Sequence, residues 1–136
     1  MIVVDTGPLF AAADDNDRYH EAAVDFFDSN TEPLVSTPGV ITEVSFLIDK
    51  FLGPQREADF LDTIANGDLS VEYLIAADYL RMAELVRTYA DLRLGSTDAS
   101  VVAIAERLSV TTVATVDYRH FNVVRPAHVD AFTIVP

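Results

Sequence analysis

The sequence contains no cysteine, which excludes a disulfide framework and any metal site built from thiolates. It contains a single lysine, Lys50, so no function that needs a lysine late in the chain is available. No apolar run approaches the roughly 18 residues of a membrane span, and Asp5 interrupts any basic-then-apolar secretory signal. We therefore expect a cytoplasmic protein that does not enter a membrane.

Positive charge is also scarce, because the chain has only nine Lys and Arg residues but 22 Asp and Glu residues, which gives a net charge of −13. Such a surface repels polyanions, so the general attraction that most nucleic-acid binders obtain from basic side chains is weak here. A nucleic-acid ligand would need cations or local arginines as bridges. The same acidity would attract a basic partner strand or helix.

What is present is an alternation of apolar, β-branched runs with helical patterns over 136 residues, half of them hydrophobic. This length and composition predict one globular domain, residues 1–136. Strands are predicted at 2–4, 34–36, 69–74, 111–116, 123–124 and 132–135. Helices are predicted at about 8–13, 18–28, 38–51, 55–65, 76–89 and 98–108. The alternation predicts an α/β fold, a three-layer α/β/α sandwich around a mostly parallel sheet, but not its strand order.

Three expectations concern the core. The helix at 98–108 is apolar nearly all round and is expected to be central. The helix at 76–89 is expected to place Leu80, Ala83, Leu85 and Val86 on its apolar side. The phenylalanines at 26, 27, 46, 51 and 60 are expected to be mainly core, with the 46–52 segment as a candidate dimer or partner interface.

Two aspartates directly follow strands predicted to be buried. Asp5 comes after Ile2–Val4 and before the Gly7-Pro8 turn, and Asp117 comes after the run that ends at Val116. Asp5 alone is equally well explained as a turn residue or helix cap. Because the carboxyl ends of parallel strands meet at one edge of the sheet, the recurrence favours a shared site there.

Two further carboxylates fall on helices. Asp98 lies in a first turn after Gly95-Ser96-Thr97, where an acidic residue also simply stabilises a helix. Glu43 falls within the arc of Val40, Val44 and Leu47, and is therefore expected among core-facing residues. A carboxylate there is costly unless it is paired or binds a metal, with an ion pair to Lys50 or an extended conformation at the edge as the alternatives.

Asp5, Glu43, Asp98 and Asp117 together would repel one another strongly, and a divalent cation resolves that conflict. Oxygen ligands without cysteine favour Mg²⁺ or Mn²⁺ over zinc. Carboxylate clusters that hold one or two such ions are a recurring solution for phosphodiester hydrolysis.

The chain resembles the PIN-domain ribonucleases, and specifically the toxins of VapBC toxin-antitoxin pairs. The resemblance lies in Val3-Val4-Asp5-Thr6, in Ile41-Thr42-Glu43-Val44, and most clearly in the segments 97–103 (TDASVVA) and 114–121 (ATVDYRHF). It implies that the four carboxylates bind catalytic Mg²⁺ or Mn²⁺, one or two ions, and that Thr6 and Thr115 support them by hydrogen bonding.

The resemblance further implies endonucleolytic cleavage of RNA, a homodimer, and inhibition by a cognate VapB-type antitoxin whose C-terminal segment covers the site. We expect that segment to be basic. Many relatives carry another acidic residue shortly after the last aspartate, where this chain has Tyr118, Arg119 and His120. A second ion would then be weakly held or bound only with substrate, and His120 is expected to pack locally.

Arg93 and Arg119 are candidates for contact with an RNA phosphate, with a solvated loop arginine as the alternative for each. Two other α/β classes that place an aspartate after the first strand fit poorly. A haloacid-dehalogenase-like phosphatase would have an aspartate at the position of Gly7, and both it and a receiver domain need a late lysine. A PIN-fold protein without toxin activity, whose acidic cleft docks a basic partner, is the remaining alternative.

Overall fold

In the computed structural model, which describes residues 1–136, five parallel strands form one sheet flanked by seven helices. The strands are β1 (Ile2–Val4), β2 (Leu34–Ser36), β3 (Ser70–Val71), β4 (Thr112–Ala114) and β5 (Thr133–Val135). The helices are α1 (Thr6–Ala13), α2 (His20–Ser29), α3 (Pro38–Leu52), α4 (Pro54–Ala65), α5 (Ala76–Thr88), α6 (Ser96–Arg107) and α7 (Tyr118–Phe121). The predicted α/β class and parallel sheet are confirmed. No helix is both long and apolar enough to cross a membrane.

The strand order is β3-β2-β1-β4-β5, with β1 in the middle. Val3 of β1 pairs with Val35 on one side and Val113 on the other, and it is completely buried. The chain builds β2 and β3 on one side of β1 and then crosses to β4 and β5 on the other. In open α/β sheets, ligands bind outside the carboxyl ends of the strands where the order reverses. Here that crevice lies beyond the ends of β1 and β4.

Helix α6 is central, as expected. Residues 99–105 are all buried, and four of them are Ala or Ser, whose small side chains let neighbouring elements approach closely. Helix α5 packs along α6, and α6 also contacts α3 and β1. This rigid support fixes the start of α6, and with it Asp98, beside the carboxyl ends of the strands.

Two predicted strands are wrong: the strand at 69–74 is much shorter, and the strand at 123–124 does not form. The predicted strand at 69–74 is reduced to Ser70–Val71, because its neighbour β2 ends at Ser36, where Thr37 caps α3 by accepting a hydrogen bond from the Val40 N–H. No strand forms at 123–124. The N–H groups of both residues there donate to the His120 carbonyl at the end of a short helix, so they are not free for a ladder.

The predicted apolar side of α5 is right for Leu85 and wrong for Leu80 and Val86. Leu80 and Val86 are exposed, and the buried residues are Asp78, Met82 and Leu85. The Arg107 Nε donates to both carboxylate oxygens of Asp78 at 3.1 Å, so this ion pair turns the Asp78 face toward α6. Among the phenylalanines, Phe46 and Phe51 are exposed on α3 and are not part of the core.

Candidate functional site

Asp5 occupies the crevice beyond β1. Its backbone N–H donates to the Ala114 carbonyl at 2.9 Å, and the Thr115 hydroxyl donates to its Oδ2 at 2.7 Å. The same hydroxyl oxygen accepts from the backbone N–H of Asp117 at 2.9 Å. Thr115 therefore fixes both strand-end aspartates with one side chain. Only Oδ2 of the Asp5 carboxylate is held by a side-chain hydrogen bond, because Oδ1 is buried and has no hydrogen-bond partner.

Burial is the main cause of an unusual ionisation of Asp5. It raises the pKa of this carboxyl from 3.8 to about 7, against the lowering effect of the Thr115 hydrogen bond. The charges of Asp98 and Glu43 raise the pKa further, while the backbone N–H of Thr6 lowers it. A carboxylate that is buried, repelled by two others and left with an unpartnered oxygen requires a compensating positive charge when ionised.

Glu43 reaches the site from α3, but not from the core. The buried face of α3 consists of Val40, Val44 and Ile48, and Glu43 is exposed, so its predicted position within the core-facing stripe is wrong. Its Oε2 accepts a hydrogen bond of 2.5 Å from the Thr6 hydroxyl at the start of α1. Glu43 therefore stands at the solvent side of the crevice, held by the residue that follows Asp5.

Lys50 does not pair with Glu43, which excludes the internal ion pair, whereas the exposure of Glu43 fits the other structural alternative, an extended side chain at the edge of the apolar stripe. The Lys50 ammonium lies over the exposed rings of Phe46 and Phe51, with Nζ 5.9 and 5.2 Å from their centroids. No basic side chain neutralises the Asp5–Glu43 part of the site.

Asp98 and Asp117 are joined by a histidine that the sequence reasoning assigned to local packing. Nδ1 of His120 lies 2.8 Å from Asp98 Oδ2 and 2.9 Å from Asp117 Oδ2, and Nε2 lies 3.1 Å from the Leu92 carbonyl. Burial raises the pKa of Asp98, His120 lowers it, and the charges of Asp117 and Glu43 raise it. The available signal was the spacing, because residue 120 follows Asp117 by one turn of α7.

The structure thus brings all four predicted carboxylates to one crevice, with Thr6 and Thr115 hydrogen-bonded to two of them. Asp98, Asp117 and His120 each offer one ligand atom within 4.8 Å of the others. These two carboxylate oxygens and one imidazole nitrogen form a donor set that fits a divalent cation, and the unpartnered Asp5 Oδ1 lies outside this group of three. Arg93 and Arg119 are exposed, and neither side chain contacts the cluster.

Comparison with known proteins agrees with this geometry. A model of the PIN domain family matches residues 2–126. The chain is 33% identical over 135 residues to Ribonuclease VapC26 of Mycobacterium tuberculosis, covering 99% of this chain and 100% of the relative.

Two solved structures share the fold at lower identity. One is VapC20 of M. tuberculosis, described as a sarcin-ricin loop cleaving toxin, with a TM-score of 0.78, 18% identity, and coverage of 83% of this chain and 87% of that one. The other is FitAcB from Neisseria gonorrhoeae, with a TM-score of 0.65, 20% identity, and coverage of 98% and 97%. At these identities the likeness concerns the fold alone. The family model matches residues 2–126, and the 33% identity to Ribonuclease VapC26 extends over nearly the full length of both chains. The chain therefore belongs to the PIN-domain family, as a ribonuclease toxin of the VapC type.

Proposed function

We propose that this protein is a cytoplasmic, Mg²⁺- or Mn²⁺-dependent endoribonuclease toxin of a type II toxin-antitoxin system. The observation that carries the proposal is the state of Asp5. Its Oδ1 is buried without a partner, and its pKa is raised to about 7 by burial and by neighbouring carboxylates. A group of this kind costs stability and contributes nothing to packing, which is typical of a functional site.

Asp5, Glu43, Asp98 and Asp117 are the residues that would hold the ion or ions. A bound divalent cation supplies activation of water and stabilisation of the oxygen that leaves the scissile phosphate. Thr115 orients Asp5 through a hydrogen bond of 2.7 Å and positions the Asp117 backbone, while Thr6 orients Glu43. Both threonines therefore limit the rotation of carboxylates that would otherwise move apart under their mutual repulsion.

Binding of RNA to so acidic a chain depends on few local cations. Arg93 follows α5 in the loop before α6, and Arg119 stands in α7 two residues after Asp117. Both side chains are exposed and neither forms an ion pair, so they are free to contact phosphates. With a net charge of −13, affinity would come from these contacts, from bound cations and from the shape of the RNA.

We infer that the cognate VapB-type antitoxin is basic in its C-terminal segment and places it over the carboxylates. A separate groove of about 890 Å³ suits the rest of such a partner. It lies between the ends of α1 and α2, the face of α4, and the starts of β2 and β3. Its walls carry the carboxylates of Asp28, Glu32, Asp59 and Asp68, and its one basic residue, Arg56, is already bonded to the Ala13 carbonyl.

We also infer a homodimer. Tyr73, Ile75, Tyr79 and Leu80 form an exposed apolar patch, here called the α5 patch, at the start of α5 and the loop before it. Arg107 fixes that loop by donating to the Tyr73 carbonyl at 2.9 Å and to Asp78. A rigid apolar surface of this kind is typical of an interface between proteins, and a second copy of the chain is the partner that the family implies.

The experiment that tests the proposed function is the mapping of new RNA 5′ ends in cells after brief induction. Wild-type protein is expected to arrest growth and to produce discrete new ends. Asp98→Asn, which is nearly isosteric, is expected to do neither, and co-expression of the antitoxin is expected to abolish both effects. Antitoxin binding without new RNA ends at any metal concentration would contradict the proposal and favour a docking protein without nuclease activity.

A further inference from the structure

Both ring nitrogens of His120 have polar partners, which fix the orientation of the imidazole ring. Its Nε2 lies 3.1 Å from the Leu92 carbonyl, which can only accept a hydrogen bond, so Nε2 carries a hydrogen and donates. This contact fixes the ring and directs Nδ1 at the carboxylates of Asp98 and Asp117. Histidines that bind metals commonly donate their second ring N–H to a backbone carbonyl in this way.

The two distances from His120 Nδ1 to the carboxylates match the edges of a metal coordination shell, and the three donor atoms all lie within 4.8 Å of one another. Nδ1 of His120 is 2.8 Å from Asp98 Oδ2 and 2.9 Å from Asp117 Oδ2. In an octahedral shell with bonds of about 2.1 Å, adjacent ligand atoms are about 3.0 Å apart. The observed separations are therefore those of neighbouring ligands around one cation, as well as those of hydrogen bonds.

We propose that Nδ1 of His120 is a direct metal ligand beside Asp98 and Asp117, and that it increases the affinity of the site for Mn²⁺ relative to Mg²⁺. This inference rests on the proposed function, because it assigns a further ligand to the same site. Mg²⁺ prefers oxygen donors, whereas an imidazole nitrogen adds more to the affinity for a transition metal. His120 lies in the short stretch after Asp117 in which many relatives in the family that the chain resembles carry an additional acidic residue.

A purely structural role for His120 makes a different prediction. In that case Nδ1 carries a hydrogen that links the two carboxylates, and the ring serves only to hold α7 against the start of α6. His120→Asn retains an N–H donor close to the position of Nδ1 and would preserve much of that role. It removes the imidazole nitrogen and leaves a metal only a neutral amide oxygen, which is a weaker ligand for Mn²⁺ and gives no directly coordinated ¹⁴N.

The test uses the purified full chain, with Mn²⁺ and Mg²⁺ as probes. Electron spin-echo envelope modulation of bound Mn²⁺ reports directly whether a ¹⁴N nucleus is coordinated. We expect ¹⁴N modulation in the wild type and its loss in His120→Asn. By calorimetry, we expect His120→Asn to weaken Mn²⁺ binding by at least about tenfold and Mg²⁺ binding by less than about threefold. His120→Asp, which restores an oxygen donor, is expected to favour Mg²⁺ relative to the wild type.

His20→Gln is the matched control, because His20 is remote from the carboxylates and its Nδ1 contacts the Ala11 carbonyl. It should leave the modulation and both affinities unchanged. Wild-type protein that binds Mn²⁺ without ¹⁴N modulation, or an unchanged ratio of the two affinities in His120→Asn, would overturn the ligand assignment while leaving the proposed function intact. If the wild type bound neither metal and still cleaved RNA, both proposals would fail.

Discussion

Asp5→Asn is expected to make the metal-free protein more stable while destroying its metal site. Asn is nearly isosteric with Asp, and its carbonyl oxygen can accept the hydrogen bond that Thr115 now donates to Asp5 Oδ2. Its amide nitrogen would occupy the position of the unpartnered Oδ1, near the charges of Asp98 and Glu43. A buried carboxylate that two neighbouring carboxylates repel is thereby replaced by a neutral amide.

The magnitude follows from the pKa of Asp5, which rises from 3.8 to about 7 on folding. The difference corresponds to about 4 kcal/mol as an upper bound, at 1.36 kcal/mol per pKa unit. The folded state binds the extra proton, so the contribution of Asp5 to stability is greatest below pH 3.8, decreases as pH rises toward 7, and is lost above that pH. At pH 8 in EDTA, we expect Asp5→Asn to raise the free energy of unfolding by roughly 2–4 kcal/mol.

Urea denaturation followed by circular dichroism, in EDTA at several pH values between about 4 and 8, measures this difference. The advantage of Asp5→Asn should grow with pH and vanish toward pH 4. Asp49→Asn, at an exposed position on α3, is the control and should show no such trend. Saturating Mn²⁺ should stabilise the wild type and not Asp5→Asn. If Asp5→Asn were less stable than the wild type at pH 8, or its advantage did not depend on pH, the reasoning would be refuted.

Three further predictions concern the turn after Asp5, the dimer and the antitoxin. A Cβ at Gly7 would overlap the Val116 side chain, so Gly7→Ala should lower the free energy of unfolding by about 1–3 kcal/mol in urea titrations. Gly39→Ala on α3, where a Cβ would have only ordinary contacts at 3.8–3.9 Å, should not lower it. Tyr79→Glu in the α5 patch should yield monomers in sedimentation equilibrium, and an unchanged mass would place the interface elsewhere. Antitoxin binding measured by calorimetry should weaken as the salt concentration rises from about 50 to about 500 mM, because salt screens the attraction between the acidic toxin and a basic segment. An affinity that does not change with salt would contradict this electrostatic contribution.

Much of the fold could be predicted because its signals are local. The β-branched run Ile2–Val4 forms the central strand, and the small, apolar residues of α6 form the central helix, as their compositions indicate. Asp5 and Asp117 could be predicted as neighbours, since residues that follow parallel strands share one edge of a sheet. Strand order could not be predicted, because it depends on which crossover the packed helices allow.

The side-chain errors share a cause, which is pairing between residues distant in the sequence. Asp78 is buried by Arg107, 29 residues away, and this pairing rotates Leu80 outward. The spacing of three residues relates His120 to Asp117, but it does not predict the contact of His120 with Asp98, which lies 22 residues earlier. Helical periodicity predicts Glu43 at the site because it assigns this residue to the core-facing side of α3, but Glu43 is exposed. What brings it there is its hydrogen bond to Thr6, a contact between helices that periodicity does not encode.

The central claim, that the carboxylate crevice cleaves RNA with a divalent cation, is tested most directly by cleavage assays on the purified protein. A structured RNA should be cut in Mn²⁺ or Mg²⁺, left intact in excess EDTA, and cut again when the metal is restored. Asp98→Asn should be inactive in either metal while retaining the folded circular dichroism spectrum of the wild type. Equal cleavage in EDTA, or full activity of Asp98→Asn, would contradict the account.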